Sequence, residues 1–399
     1  MLLSLAIILL VGLSVAAIFE KIGLPRIIGM LGVGIAVSPY VLDLLDPSIL
    51  GISSELRQIA LIIILVKAGL SLNLSDLKKV GRPAVMMSFV PACFEIAGYV
   101  LFAPLLLGVD HIEAAVMGAV LSAVSPAVVV PRMVKLIEEK IGTEKGIPQM
   151  ILAGASCDDI FVIVLFSTFV TMAQGGSVKA ADFLNIPVSI VLGVLLGAAA
   201  GLALFFLFEK AYQHSHKIRN SIKVIILLGT SFLLMGIETL VKPYVALSGL
   251  LAVVAMACVV KLKAENSVSV RLSEKFGKLW LAAEVMLFVL VGAAVDIRYT
   301  LTAGGMAVLM IFIALAFRAA GVCLCMLGTK LTAKERLFCV IAYLPKATVQ
   351  AAIGSVPLSL GLPCGKIILS VAVLAILITA PLGAIGIDRT HKKLIGGEN

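Results

Sequence analysis

Charge is what this chain of 399 residues has least of. Only 14% of its residues are Asp, Glu, Lys or Arg, while 61% are hydrophobic, against roughly 25% charged and 45–50% apolar in an ordinary soluble domain. That balance excludes a soluble enzyme. The seven cysteines, Cys93 to Cys364, lie almost wholly in apolar runs and form no CxxC pair, which excludes a disulfide framework and a zinc site. No stretch of ordinary composition is long enough for a globular domain, so an appended ATPase, kinase or nucleotide-sensing module is excluded as well. The opening run MLLSLAIILLVGLSVAAIF lacks the positive start of a signal peptide and passes into further apolar sequence, so a retained membrane span is expected there.

What is present is a series of apolar runs of about 20 residues, the length a helix needs to cross a bilayer. They fall near 1–19, 23–42, 57–74, 83–107, 111–137, 147–173, 183–208, 218–242, 243–260, 274–295, 300–328, 335–359 and 364–388. The expected fold class is therefore an all-α polytopic membrane protein with 13 transmembrane helices. If the spans alternate, the odd-numbered connections with their flanking turns and the C-terminal tail hold 23 Lys and Arg, and the even-numbered ones hold 5. Under the positive-inside rule the N-terminus then lies outside and the C-terminus in the cytoplasm. The net charge of +9 is thus a statement about topology and does not call for a nucleic-acid partner.

The chain also repeats itself. Ala68–Leu74, at the end of span 3, matches Val291–Ile297, at the end of span 10, at an offset of 223, and the same offset carries Glu95 in span 4 onto Arg318 in span 11. Spans 1–6 pair with spans 8–13, seven spans on, so equivalent helices run in opposite directions and the repeat is inverted.

Ionisable groups at mid-bilayer cost about 2.5 to 3.5 kcal/mol each even on a lenient scale, so they face a cavity and act there. Span 4 centres on Glu95, span 6 beside Asp158 and Asp159, span 11 holds Arg318 near its centre, and span 12 centres beside Lys346. Spans 5 and 12 carry Pro126 and Pro345 at the same depth, where proline removes a hydrogen bond and breaks the helix. Two broken helices in matching positions point to a transporter ion site, because half-helix ends present peptide dipoles to the ion. Asp158 and Asp159 are the expected carboxylates of that site, with Ser125 and Ser156 as further oxygen ligands for sodium or lithium. Competition of proton and cation for one carboxylate is by itself an exchange mechanism. Glu95 and Arg318 are expected to pair, and Lys346 to compensate the carbonyl ends of the half-helices.

The segments SAVSPAVVVP (122–131), GASCDDI (154–160), the Arg318 helix and LPKATVQAAIG (344–354) resemble the monovalent cation/proton antiporter superfamily. Within it they are similar to the sodium/proton antiporter branch with an adjacent Asp-Asp pair, close to the bacterial relatives of the animal mitochondrial-type exchangers, and the resemblance runs over essentially the full length. It implies two inverted repeats with two broken, crossing helices, and a homodimer in membrane lipid. Residues 1–82 and 218–299 would form a fixed dimerisation scaffold, 183–208 a linker helix, 83–174 and 300–388 a mobile ion-carrying core, and 389–399 a short cytoplasmic tail. It further implies elevator-like exchange of Na+ or Li+ for H+ in a bacterial inner membrane, with no bound cofactor and with Asp159 as the principal carboxylate. Arg318 stands where electrogenic members carry lysine, which leaves the stoichiometry open. The competing reading is a sodium-coupled organic solute symporter of the same architecture.

Overall fold

The structure, a computed structural model, describes residues 1–71, 81–175, 180–213, 219–241, 245 and 247–396. Helix is the only regular secondary structure among them. Each expected span coincides with helix: α1 (Leu2–Lys21), α2 (Arg26–Val37), α3 (Ser53–Ser71), α4 (Arg82–Leu107), α5 in two arms, α5a (His111–Leu121) and α5b (Pro126–Glu138), and α6 (Ile147–Gln174). These are followed by α7 (Ala180–Gln213), α8 (Asn220–Val241), α9 (Gly249–Lys263), α10 (Asn266–Ala293) and α11 (Ile297–Cys325). Last come α12, again in two arms, α12a (Ala333–Ala342) and α12b (Thr348–Gly354), and α13 (Gly365–Ile395).

Among the described residues nine of these segments are long and apolar enough to cross a membrane: α1, α4, α5 taken through its break, α6, α7, α8, α10, α11 and α13. The other four fall short for physical reasons. α2 and α9 are shorter, at 12 and 15 residues. α12 is interrupted, and α3 carries Glu55, Arg57 and Lys67 within 19 residues.

Both expected interruptions are real breaks. The residue before a proline is pushed out of helical conformation, and Ser125 accordingly lies at φ −85°, ψ 108°. Residues 122–125 and 344–347 belong to no helix. Pro126 is the first residue of α5b, whereas Pro345 sits inside the second linker, three residues before α12b. The repeat extends to the helix starts. α5a opens on a capping box of Asp110 and Glu113, and α12a on one of Thr332 and Glu335, where each cap side chain and its partner three residues on satisfy the other's backbone amide. The Leu72–Leu74 end of the expected repeat motif lies outside the described residues.

Packing divides the chain into two compact units, one of residues 1–57, 73–162 and 285–399, the other of 58–72 and 163–284. In the first, α4 lies along α11 and against α5a, while α13 packs on both arms of α12 and both arms of α5. In the second, α7 and α9 dominate. Gly193, Gly197 and Gly201 recur every fourth residue on α7, and a methyl at any of them would run into the α9 backbone at Ser248, Ala252 or Met256. Without a hydrophobic force between helices in lipid, such close backbone approach is how helices adhere.

Candidate functional site

Six charged side chains are buried among the described residues: Arg57, Glu95, Asp158, Asp159, Arg318 and Lys346. Five of the six belong to one cluster in the first unit, built where the non-helical linkers of α5 and α12 meet. The linkers are tied directly, the Ser125 amide donating to the Pro345 carbonyl at 2.8 Å.

Arg318, from α11, organises the cluster. Its Nη1 donates to Glu95 Oε2 of α4 at 2.8 Å, its Nη2 to Asp158 Oδ2 of α6 at 3.3 Å, and its Nε to the Tyr343 carbonyl at 2.6 Å. Nη1 also donates to the Ser122 carbonyl. Ser122 O is the acceptor that Pro126, four residues on and lacking an N–H, leaves without a helical partner. Tyr343 O stands at the C-terminal end of α12a. The guanidinium therefore closes the negative ends of both half-helices, and its carbon lies 5.4 Å from the centre of the Tyr343 ring.

This corrects one expectation. Lys346 does not compensate the half-helix carbonyls, because its Nζ donates to Glu95 Oε2 at 2.5 Å. The reason is shape: a planar guanidinium with five N–H donors spans two carbonyls and two carboxylates at once, while an ammonium is a compact point donor. Glu95 thus holds two cations on one oxygen.

Asp158 Oδ2 accepts from the Val124 amide of the α5 linker at 2.7 Å as well as from Arg318. Six buried side-chain oxygens lack a hydrogen-bond partner among the described residues, and three of them are Asp158 Oδ1, Asp159 Oδ1 and Ser125 Oγ. Leaving a buried oxygen unpaired costs about 1 to 3 kcal/mol, and these three belong to the adjacent Asp158 and Asp159 and to Ser125, the residue after the Val124 amide that Asp158 receives. No group of three or more His, Cys, Asp and Glu suited to a metal ion occurs among the described residues, so a cation held here would need hydroxyl and peptide oxygens beside the two carboxylates. Ser156, the fourth expected ligand, lies in α6, but its side chain is outside the described residues. Pro126 and Pro345 shape the linkers and offer no ligand side chain.

Sequence reasoning missed three residues here. Gln350, fully buried on α12b, accepts from the Ala347 amide through Oε1 at 2.7 Å and donates through Nε2 to the Ala123 carbonyl at 2.7 Å. Thr379 of α13 accepts from the Lys346 amide at 2.9 Å. Tyr343 is fully buried, and its hydroxyl, against Gly154 of α6, has no partner among the described residues. The signal for Gln350 and Thr379 was a polar residue inside an otherwise apolar run, a weaker mark than charge.

Comparison with known proteins agrees with this geometry. The family model described as sodium/hydrogen exchanger, transmembrane, matches residues 5–393. The chain belongs to the sodium/hydrogen exchanger family. Among its relatives, the sodium/hydrogen exchanger 9B2 of Xenopus tropicalis is 34% identical over 353 residues, covering 86% of this chain and 64% of that protein. The human sodium/hydrogen exchanger 9B1 is 31% identical over 346 residues, covering 84% and 65% respectively. The chain thus spans a little under two thirds of the length of these curated relatives. The solved structure of the sodium proton antiporter MjNhaP1 from Methanocaldococcus jannaschii superposes with a TM-score of 0.82 over 98% of both chains at 21% identity, which establishes the antiporter fold. In a sodium/hydrogen exchanger fold the buried cluster on α4, α6, α11 and the crossed linkers is the natural candidate for the working site.

Proposed function

We propose that this protein is a secondary transporter that exchanges Na+ or Li+ for H+, with cation and proton competing for the Asp158–Asp159 pair. The observation that carries the reading is the set of unpartnered buried oxygens on Asp158, Asp159 and Ser125 beside a saturated charge network. Asp158 is held by Arg318 and the Val124 amide and serves as the fixed carboxylate. Asp159, with no ion pair among the described residues, is the one that changes occupant. Arginine does not deprotonate in proteins, so Arg318 does not carry the transported proton, which this reading places on Asp159.

Charge counting supports a stoichiometry. In their ordinary ionised forms Glu95, Asp158 and Asp159 bring three negative charges and Arg318 and Lys346 two positive ones. The surplus is one negative charge, which one monovalent cation or one proton neutralises. A buried net charge is costly, so the site crosses the membrane loaded with one or the other, and exchange is one for one and electroneutral.

The wider mechanism is proposed on the family resemblance: an elevator-like movement of 83–174 with 300–388 against a scaffold of 1–82 and 218–299, in a homodimer. The membrane proposed is the bacterial inner membrane, with the N-terminus outside and the C-terminus in the cytoplasm.

The test is proton flux in proteoliposomes holding a pH gradient, with sodium, lithium, potassium or choline added in turn and the membrane potential clamped or free. Sodium and lithium should dissipate the gradient at rates independent of potential, choline should not, and Asp159→Asn should abolish the response while leaving a folded protein. Wild-type rates in Asp159→Asn would remove that residue from its role. Sodium-dependent uptake of an organic anion without proton flux would favour the symporter.

A further inference from the structure

Four peptide groups of the α5 linker are each held by a different partner. The Ser122 carbonyl is taken by Arg318, the Ala123 carbonyl by Gln350, the Val124 amide by Asp158 and the Ser125 amide by Pro345. Three of these ties come from charged residues or from the backbone. The fourth comes from a neutral amide whose two ends reach different linkers: Oε1 receives Ala347 N of the α12 linker and Nε2 donates to Ala123 O of the α5 linker, both at 2.7 Å. No hydrogen bond reaches the Val124 carbonyl among the described residues, and it is followed directly by Ser125, whose hydroxyl is unpartnered.

We infer that Gln350 is a positioning residue for cation affinity: by holding Ala123 O away from the carboxylates and locking the two linkers in register, it fixes where the Val124 peptide and Ser125 stand relative to Asp158 and Asp159. Gln350 touches neither carboxylate and acts through the linker. Only a side chain with a donor on one arm and an acceptor on the other satisfies both contacts, which is the chemistry of an uncharged amide. A protonated glutamic acid has the same two functions, with O–H in place of N–H. An ionised glutamate has only acceptors, so one oxygen would face the Ala123 carbonyl oxygen with no hydrogen between them.

That contrast makes the inference testable through pH, which a merely space-filling role would not move. Gln350→Glu should exchange with a KM for Na+ close to wild type at the acidic end of the working range. As pH rises and residue 350 ionises, the KM should climb by about tenfold relative to wild type at the same pH, the cost of one buried unpaired acceptor, with a smaller change in maximal rate. Gln350→Met, of similar length and with neither hydrogen bond, should show the raised KM at every pH. The ionisable groups on the helices packed against α12b are His111 and Glu113 on α5a, and Lys366 and the Asp388–Lys393 segment on α13; those of the cluster are Glu95, Asp158, Asp159, Arg318 and Lys346. All are common to the three proteins, so the ratio of variant to wild type isolates residue 350.

The inference rests on the exchange reading, and the two fail differently. Wild-type protein without cation-driven proton flux overturns the reading itself. Wild-type exchange with variants that keep its KM throughout, or that lose only maximal rate, overturns the role of Gln350. If neither variant yields a folded protein, Gln350 is a residue of stability and the assignment to affinity is withdrawn.

Discussion

Replacing Glu95 by glutamine tests the charge network at its most crowded point. A single oxygen, Glu95 Oε2, receives Arg318 Nη1 at 2.8 Å and Lys346 Nζ at 2.5 Å, and all three residues are at most 1% exposed. At an effective dielectric constant near 20, each opposite-charge contact at this range is worth roughly 6 kcal/mol before desolvation is counted. Glutamine keeps the shape and an acceptor but loses the charge, leaving a buried ammonium and a buried guanidinium facing each other. Breaking a buried pair from one side costs about 3 to 5 kcal/mol, and that is the expected loss for Glu95→Gln, measured as SDS unfolding in mixed micelles followed by circular dichroism. Lys346→Gln leaves Glu95 paired with Arg318 and should cost less. The double variant restores the balance of charge and should be more stable than the two losses together predict, by about 1 to 3 kcal/mol. Glu95→Gln also removes the single negative surplus of the cluster, so the KM for sodium should rise. A loss below about 1 kcal/mol in Glu95→Gln, or strict additivity in the double variant, would refute the network as the holder of these charges.

Two further outcomes are expected. A methyl at Gly154 would collide with the Tyr343 hydroxyl, so Gly154→Ala should destabilise by about 1 to 3 kcal/mol, and Tyr343→Phe, which removes that oxygen, should restore part of the loss in the same unfolding assay; no recovery would mean that the two side chains do not meet. In a cysteine-free background, a cysteine at Gly175 should react with an impermeant thiol reagent from outside the cell and one at Lys140 should not, and the reverse pattern would invert the topology.

The spans were legible because a bilayer leaves a chain no choice: every backbone polar group must be satisfied within its own segment, so helix length and apolar composition rise together. The breaks were legible because two prolines stand at one depth in repeat-related spans; proline alone is no sufficient mark, since Pro104, Pro131 and Pro381 lie inside continuous helices. The pairing of Glu95 with Arg318 could be read because both sit at one depth in repeat-related helices, 223 residues apart. Depth alone says nothing of azimuth, however, and that is where the reading of Lys346 went astray. Whether a mid-membrane cation meets a carbonyl or a carboxylate depends on which way its helix is turned, and in α12 the turn is set by a non-helical linker with no periodicity to read. Gln350 and Thr379 escaped for a related reason, since their partners are backbone groups, which no pattern of side chains betrays.

The 223 residues between Glu95 and Arg318, and the 251 between Glu95 and Lys346, have a consequence for how the protein is made. α4 leaves the ribosome carrying a carboxylate whose two counter-charges do not yet exist. At synthesis rates of about 5 to 20 residues per second, roughly ten to forty-five seconds pass before Arg318 emerges. For that interval α4 must linger at the insertion machinery, where water is at hand. A nascent chain stalled or cut before α11 would therefore present an unneutralised acid in the bilayer, a mark by which quality control can tell a half-built transporter from a finished one.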